Sequence, residues 1–151
     1  MRGRKGAAEP VALVICCKDY RYVQAIQRFV RRRGIRWYDL KATAGGLRAL
    51  QDSPPGVRRW ILQDVRLVVA SHGVRRIVIV QHQDCAAYGG AAAFGGFEAE
   101  RAFHRRQFQR ARRLLGRSFP GVRIEGFFAC GAPDRVRMTR FALARRAAAG
   151  A

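Results

Sequence analysis

Two short constellations in this chain carry residue types that hold and activate metals. The first is Cys17-Lys18-Asp19-Tyr20-Arg21, and the second is His82-Gln83-Asp84-Cys85. Two thiolates and an imidazole, from Cys17, Cys85 and His82, make a three-donor set that suits zinc and leaves a fourth position open for water. Asp19 is the one carboxylate at hand that would close such a site as a purely structural knot. Either motif alone is weak evidence. Together, in a chain with 3 His and 4 Cys, they point to one site.

Both motifs follow apolar runs that read as strands. Residues 11–16 (Val-Ala-Leu-Val-Ile-Cys) and 76–80 (Arg-Ile-Val-Ile-Val) are continuous and β-branched, the signature of strands buried on both faces of a parallel sheet. Between them lie a helix with Tyr22, Val23, Ile26, Phe29 and Val30 at helical spacing, closed by Arg31-Arg32-Arg33-Gly34, and a short strand over 35–40. A loop over 41–56 follows, with one helical turn at 47–50, and then a second helix over 57–72. That second helix is expected to turn Trp60, Ile61, Val65, Val68 and Val69 to one face, and Gly73 ends it. Residues 81–97 read as a Gly/Ala-rich loop, 98–116 as a third helix and 122–128 as a fourth strand, with a short edge strand after Pro133. The alternation predicts a three-layer α/β/α domain with a mostly parallel sheet of order 2-1-3-4 and a fifth strand at its edge. In that order the ends of strands one and three flank the topological switch point, where open α/β sheets bind ligands. A basic extension is expected over 1–10, the domain over 11–140, and an Arg/Ala-rich tail over 141–151.

The two motifs resemble those of the β-class carbonic anhydrases, which carry Cys-x-Asp-x-Arg after the first strand and His-x-x-Cys after the third. Ala44-Gly45-Gly46 is similar to the Ala-Gly-Gly or Ala-Gly-Asn element after that family's second strand. The stretch Asp84-Cys85-Ala86-Ala87-Tyr88-Gly89 resembles that of its short members. The resemblance covers residues 11–136 and departs at Lys18, Tyr20, Gln81 and Ala86. It implies a zinc ion on Cys17, His82 and Cys85 whose bound hydroxide attacks carbon dioxide to give bicarbonate. Asp19 would then accept a hydrogen bond from that hydroxide, and Arg21 would hold Asp19 off the metal. In some members the equivalent Asp binds zinc, so Asp19 is also a candidate fourth ligand. The resemblance further implies a homodimer or a higher homo-oligomer.

Composition sets the outer limits. The chain has 151 residues, 49% of them hydrophobic, which suffices for one compact domain and is too little for two. No apolar run is long enough to span a bilayer. The apolar stretch after the basic N-terminus is too short for a secretory signal. A cytoplasmic location follows from this reading, with Cys16, Cys17, Cys85 and Cys130 reduced rather than cross-linked. The net charge of +20 draws anions of every kind, but a genome that writes Arg for Lys accounts for much of it. Nucleic acid is therefore not the expected partner, although the charge leaves it open.

Several residues read more plainly. Cys16, Cys130 and His72 are expected in structural roles, and Tyr88 and Phe94 as pocket or packing residues. Asp84 is expected to brace its loop. His104 shares a stripe with Phe108, Ala111 and Leu115; a core histidine is the first reading and a proton-shuttling one the second. The functional expectation is reversible hydration of carbon dioxide. Two alternatives stand beside it: a zinc hydrolase of carbonyl sulfide or carbon disulfide, and a catalytically silent zinc module whose basic surface binds nucleic acid or protein.

Overall fold

A computed structural model of the chain describes residues 11–143; the expected extension over 1–10 and the last residues of the expected tail lie outside them. Five strands form one sheet of order β2-β1-β3-β4-β5. They are β1 (Ala12–Cys16), β2 (Tyr38–Ala42), β3 (Arg76–His82), β4 (Arg123–Cys130) and β5 (Arg137–Arg140). The first four pair in parallel, and β5 runs antiparallel along β4. Four helices cover the two faces: α1 (Tyr20–Arg32), α2 (Arg48–Gln51), α3 (Pro55–His72) and α4 (Phe97–Ser118). This is the expected three-layer α/β/α class, with the fifth strand in its expected edge position.

Strand alternation divides the core in two. Ala12, Val14, Cys16, Val78 and Val80 pack with Tyr22, Ile26 and Val30 of α1. Leu13, Ile15, Ile77 and Ile79 face the other way, onto α2, α3 and the Phe108, Ala111 and Leu115 stripe of α4. Phe108 is fully buried, and truncating such a ring to Ala costs about 3–5 kcal/mol. Among the described residues no helix is long and apolar enough to cross a membrane.

Three local expectations need correction. The second strand spans Tyr38–Ala42 and not residues 35–40. Gly34 takes the left-handed conformation (φ 76°), and the Ile35 N–H closes back on the Val30 carbonyl. Ile35 is thus buried as the apolar residue that follows a helix C-cap, not as a strand residue. Trp60 does not share the buried face of α3; it is 61% exposed, with the Lys41 ammonium 4.9 Å from its ring centroid. Within residues 81–97, β3 continues through His82, and two short 3-10 turns, Ala86–Tyr88 and Ala91–Ala93, replace a featureless loop.

Candidate metal centre

The extra two residues of β3 matter because they carry His82 to the end of the strand beside the end of β1. Cys17 lies there too, one residue past the end of β1. The ligand atoms of Cys17, His82 and Cys85 all lie within 4.8 Å of one another, and all three side chains are buried. The two sulfurs are 4.0 Å apart.

Each of the three is prepared for a cation. The Nδ1 of His82 sits 2.8 Å from the Gln83 carbonyl oxygen, to which it can only donate. The neutral ring therefore keeps its lone pair on Nε2, the tautomer a metal needs. That Nε2 is buried and has no hydrogen-bond partner among the described residues, a costly state for a polar atom unless a ligand meets it. Tyr22 of α1 stacks on the ring at 4.5 Å between centroids and fixes its plane. Cys17 is drawn toward the thiolate: the Cys85 S–H first, with the Gly45 and Asp19 N–H groups, outweighs burial and pulls its pKa to about 4. Cys85 is pushed up, first by its bond to that thiolate and then by burial, so the pair shares one proton.

The Ala44-Gly45-Gly46 element closes over this spot. Its Gly45 N–H donates to the Cys17 sulfur at 3.3 Å. Both glycines take positive φ (75° and 57°), and a Cβ on Gly46 would lie 2.7 Å from the Gln81 Oε1 atom and 3.2 Å from the backbone after Cys16. Only glycine allows so close an approach in that conformation.

Asp19 and Arg21 form the second part of the site. Asp19 caps α1 through its side chain, which accepts the Arg21 backbone N–H at 3.0 Å. Both of its oxygens also accept from the Arg21 guanidinium, Oδ2 from Nη2 at 2.8 Å and Oδ1 from Nε at 3.1 Å. This bidentate grip holds the Asp19 carboxyl below its ordinary pKa. Asp19 Oδ2 lies 3.8 Å from His82 Nε2, at the edge of the cluster. Arg21 reaches further, donating to the Asp84 side chain at 3.0 Å and to its carbonyl at 2.9 Å. One guanidinium thus ties the loop after β1 to the loop after β3, and Asp84 braces its loop as expected.

The structure gathers Cys17, Asp19, Arg21, His82 and Cys85 at one point. The other singled-out residues are not part of it. Cys16 is buried in the sheet, and its pKa is raised to about 12, first by burial and then by the Cys17 charge. Cys130 is buried at the end of β4, and His72 pairs with Asp39 on the surface. His104 sits in a box of Tyr88, Phe94, Phe103 and Phe128. Burial first, and the nearby His82 second, lower its pKa to about 4, which suits a neutral core histidine. Tyr88 and Phe94 pack in the same box. Two neighbours escaped the sequence reading. Tyr22 was legible only as a core position of α1. Glu100 reads as an acid in the first turn of a helix, but its carboxylate accepts the Asp84 N–H at 2.5 Å.

Known proteins share this fold. The fold matches the crystal structure of β-carbonic anhydrase isoform I of Trichomonas vaginalis, with a TM-score of 0.56, 14% identity, and coverage of 93% of this chain and 86% of that one. It also matches one from Sordaria macrospora, described as tetrameric, with a TM-score of 0.54, 16% identity, and coverage of 88% and 81%. An uncharacterized protein of Rickettsia conorii is 23% identical over 124 residues, 79% of this chain and 67% of that protein. A family model described as putative carbonic anhydrase matches residues 7–134. The chain belongs to that putative carbonic anhydrase family.

Proposed function

We propose that this protein is a zinc lyase that interconverts carbon dioxide and bicarbonate, with zinc on Cys17, His82 and Cys85. The observation that carries the reading is the donor set itself: two buried cysteine sulfurs and an imidazole Nε2 with no other partner among the described residues, converging from the ends of β1 and β3. Zinc in such a set, with its fourth position free for solvent, is a Lewis acid that makes water acidic enough to serve as a nucleophile near neutral pH. The chain supplies the rest. Asp19, held ionised by Arg21, is a hydrogen-bond acceptor whose Oδ2 lies 3.8 Å from His82 Nε2. With both oxygens already engaged by Arg21, Asp19 is better suited to orienting a solvent molecule than to ligating the ion. Arg21 fixes that carboxylate and, through Asp84, the loop that carries Cys85.

Stopped-flow measurement of carbon dioxide hydration by zinc-loaded protein tests the proposal. The wild type is expected to turn over, and Cys17→Ser to lose both stoichiometric zinc and activity. A zinc-loaded wild type without activity would leave a silent metal module. X-ray absorption on the same sample decides the fourth ligand, a solvent oxygen supporting the role given to Asp19 and a carboxylate oxygen opposing it.

We further propose that the protein is a cytoplasmic homo-oligomer, as reducing conditions suit the buried thiols and as the Sordaria macrospora protein is tetrameric. Edge strand β2 exposes Leu40, and Trp37, Trp60 and Leu67 are exposed beside it or on α3. Light scattering across protein concentrations tests the assembly, a monomer throughout refuting it.

A further inference from the structure

Glu100 is a buried carboxylate that the chemistry above leaves unused. It is 1% exposed, and its hydrogen-bond partner is a backbone group, the Asp84 N–H, rather than a cationic side chain. An ionisable group in that state is expensive to bury, so its surroundings must use it. They do so through the turn before Cys85. The Glu100 Oε1 atom accepts the Asp84 N–H at 2.5 Å.

Asp84 is the one non-glycine with positive φ among the described residues, at 57°. Such a backbone costs roughly 1 kcal/mol or more and persists where its surroundings over-determine it. Four bonds do so here: its N–H goes to Glu100, its carbonyl and Oδ2 to Arg21, and its Oδ1 accepts the Ala91 N–H at 2.8 Å. The left-handed turn reverses the chain between His82 and Cys85 and presents both side chains to one point. The group that meets the Asp84 N–H must be an acceptor at whichever oxygen faces it. A carboxylate is, whereas an amide would offer one acceptor and one donor.

We propose that Glu100 is a positioning residue for the metal centre: from α4, its carboxylate fixes the strained turn at Asp84 and so sets where the Cys85 sulfur stands relative to Cys17 and His82. The proposal rests on reading those three residues as a metal site. It adds an anchor from a helix that contributes no ligand.

The test compares full-length wild type, Glu100→Gln and Glu100→Ala by two readouts. Zinc affinity by chelator competition is expected to fall about 10- to 100-fold in Glu100→Ala, the usual cost of losing an outer partner of a ligand, and by less in Glu100→Gln. Amide hydrogen exchange on the metal-free proteins is expected to speed up at Asp84 and Cys85 in both variants, with Val78 and Leu115 still protected. Unchanged zinc affinity in both variants would overturn the proposal. So would unchanged exchange at the two amides, or equally faster exchange throughout β3 and α4, which marks general unfolding. If wild-type protein holds no zinc, the metal reading fails by itself, and the exchange readout still decides whether Glu100 holds the turn.

Discussion

Glu100 and Glu125 are two carboxylates that this strongly basic protein buries almost equally, at 1% and 3% exposure, near opposite ends of one sheet. Glu125 lies in the first half of β4, ringed by arginines: Arg76 at 2.5 Å, Arg33 at 3.0 Å, Arg140 at 3.3 Å and Arg123 at 3.7 Å. Burial pushes its carboxyl pKa up, but the Arg76 hydrogen bond and the surrounding positive charges outweigh that and hold it below the ordinary glutamate value. Glu100 has no such ring among the described residues, only the Asp84 N–H, and burial raises its pKa. One side chain type under one degree of burial thus titrates in opposite directions. The difference separates a clasp that stabilises the fold from a group whose cost is accepted because it shapes a site.

The sharpest way to break that contrast is to remove Glu125. Glu125→Ala leaves the half-buried Arg76 and Arg33 facing one another without a counter-charge. It is expected to cost about 3 kcal/mol, a fall in Tm of roughly 6–12 °C for a chain of this size. Zinc affinity is expected to stay at the wild-type level, in contrast to Glu100→Ala. Melting curves and chelator competition on the two variants check this. Equal losses of zinc from both would mean the two ends of the sheet are coupled and the distinction is false.

Asp19 offers the next test, because it both caps a helix and serves the site. Asn caps a helix about as well as Asp, so Asp19→Asn is expected to keep its stability and its zinc. It loses the charge held by Arg21, and carbon dioxide hydration should drop about 10- to 100-fold. A variant that instead loses its zinc would make Asp19 a ligand and place it with Cys17.

The five residues that the structure gathers at the candidate metal centre were legible as a cluster because each lies in a short motif directly after a run of β-branched residues. Runs such as 12–16 and 76–80 are buried on both faces and admit one reading. Strand β2 was misplaced because Ile35 after Gly34 answers to a helix cap as well as to a strand, and only packing decides between them. Trp60 departs for a related reason: helical spacing put it on the α3 stripe, while its ring lies at the surface against the Lys41 ammonium. Glu100 had a signal that went unread. It stands on the inward stripe of α4 with His104, Phe108, Ala111 and Leu115, where a charge is out of place. The left-handed turn at Asp84 had none, since nothing in His-Gln-Asp-Cys separates it from an extended loop.

Acidity sharpens the contrast from the side of Glu125. Because its folded pKa is depressed, its contribution to stability is present above the ordinary glutamate value of 4.5 and is lost as pH falls through the lower folded value. The stability gap between wild type and Glu125→Gln should therefore be wide at pH 6 and shrink below about pH 4.5. Urea unfolding at several pH values reads that gap, and a gap that widens in acid would contradict the assignment.

The smallest effect comes from the rim of the arginine ring. Arg123 approaches Glu125 only to 3.7 Å with its side chain 66% exposed, whereas Arg76 is 19% exposed. An ion pair that open to water gains little after screening and side-chain ordering. Arg123→Gln is thus expected to change stability by less than about 0.5 kcal/mol, and to change it less still in high salt. Denaturant titrations at low and high ionic strength resolve a change of that size when the slopes stay equal. A cost approaching that of Glu125→Ala would mean the four arginines act as one unit. The clasp would then be a network in which exposure does not rank the partners, and the inner pair with Arg76 would lose its special place.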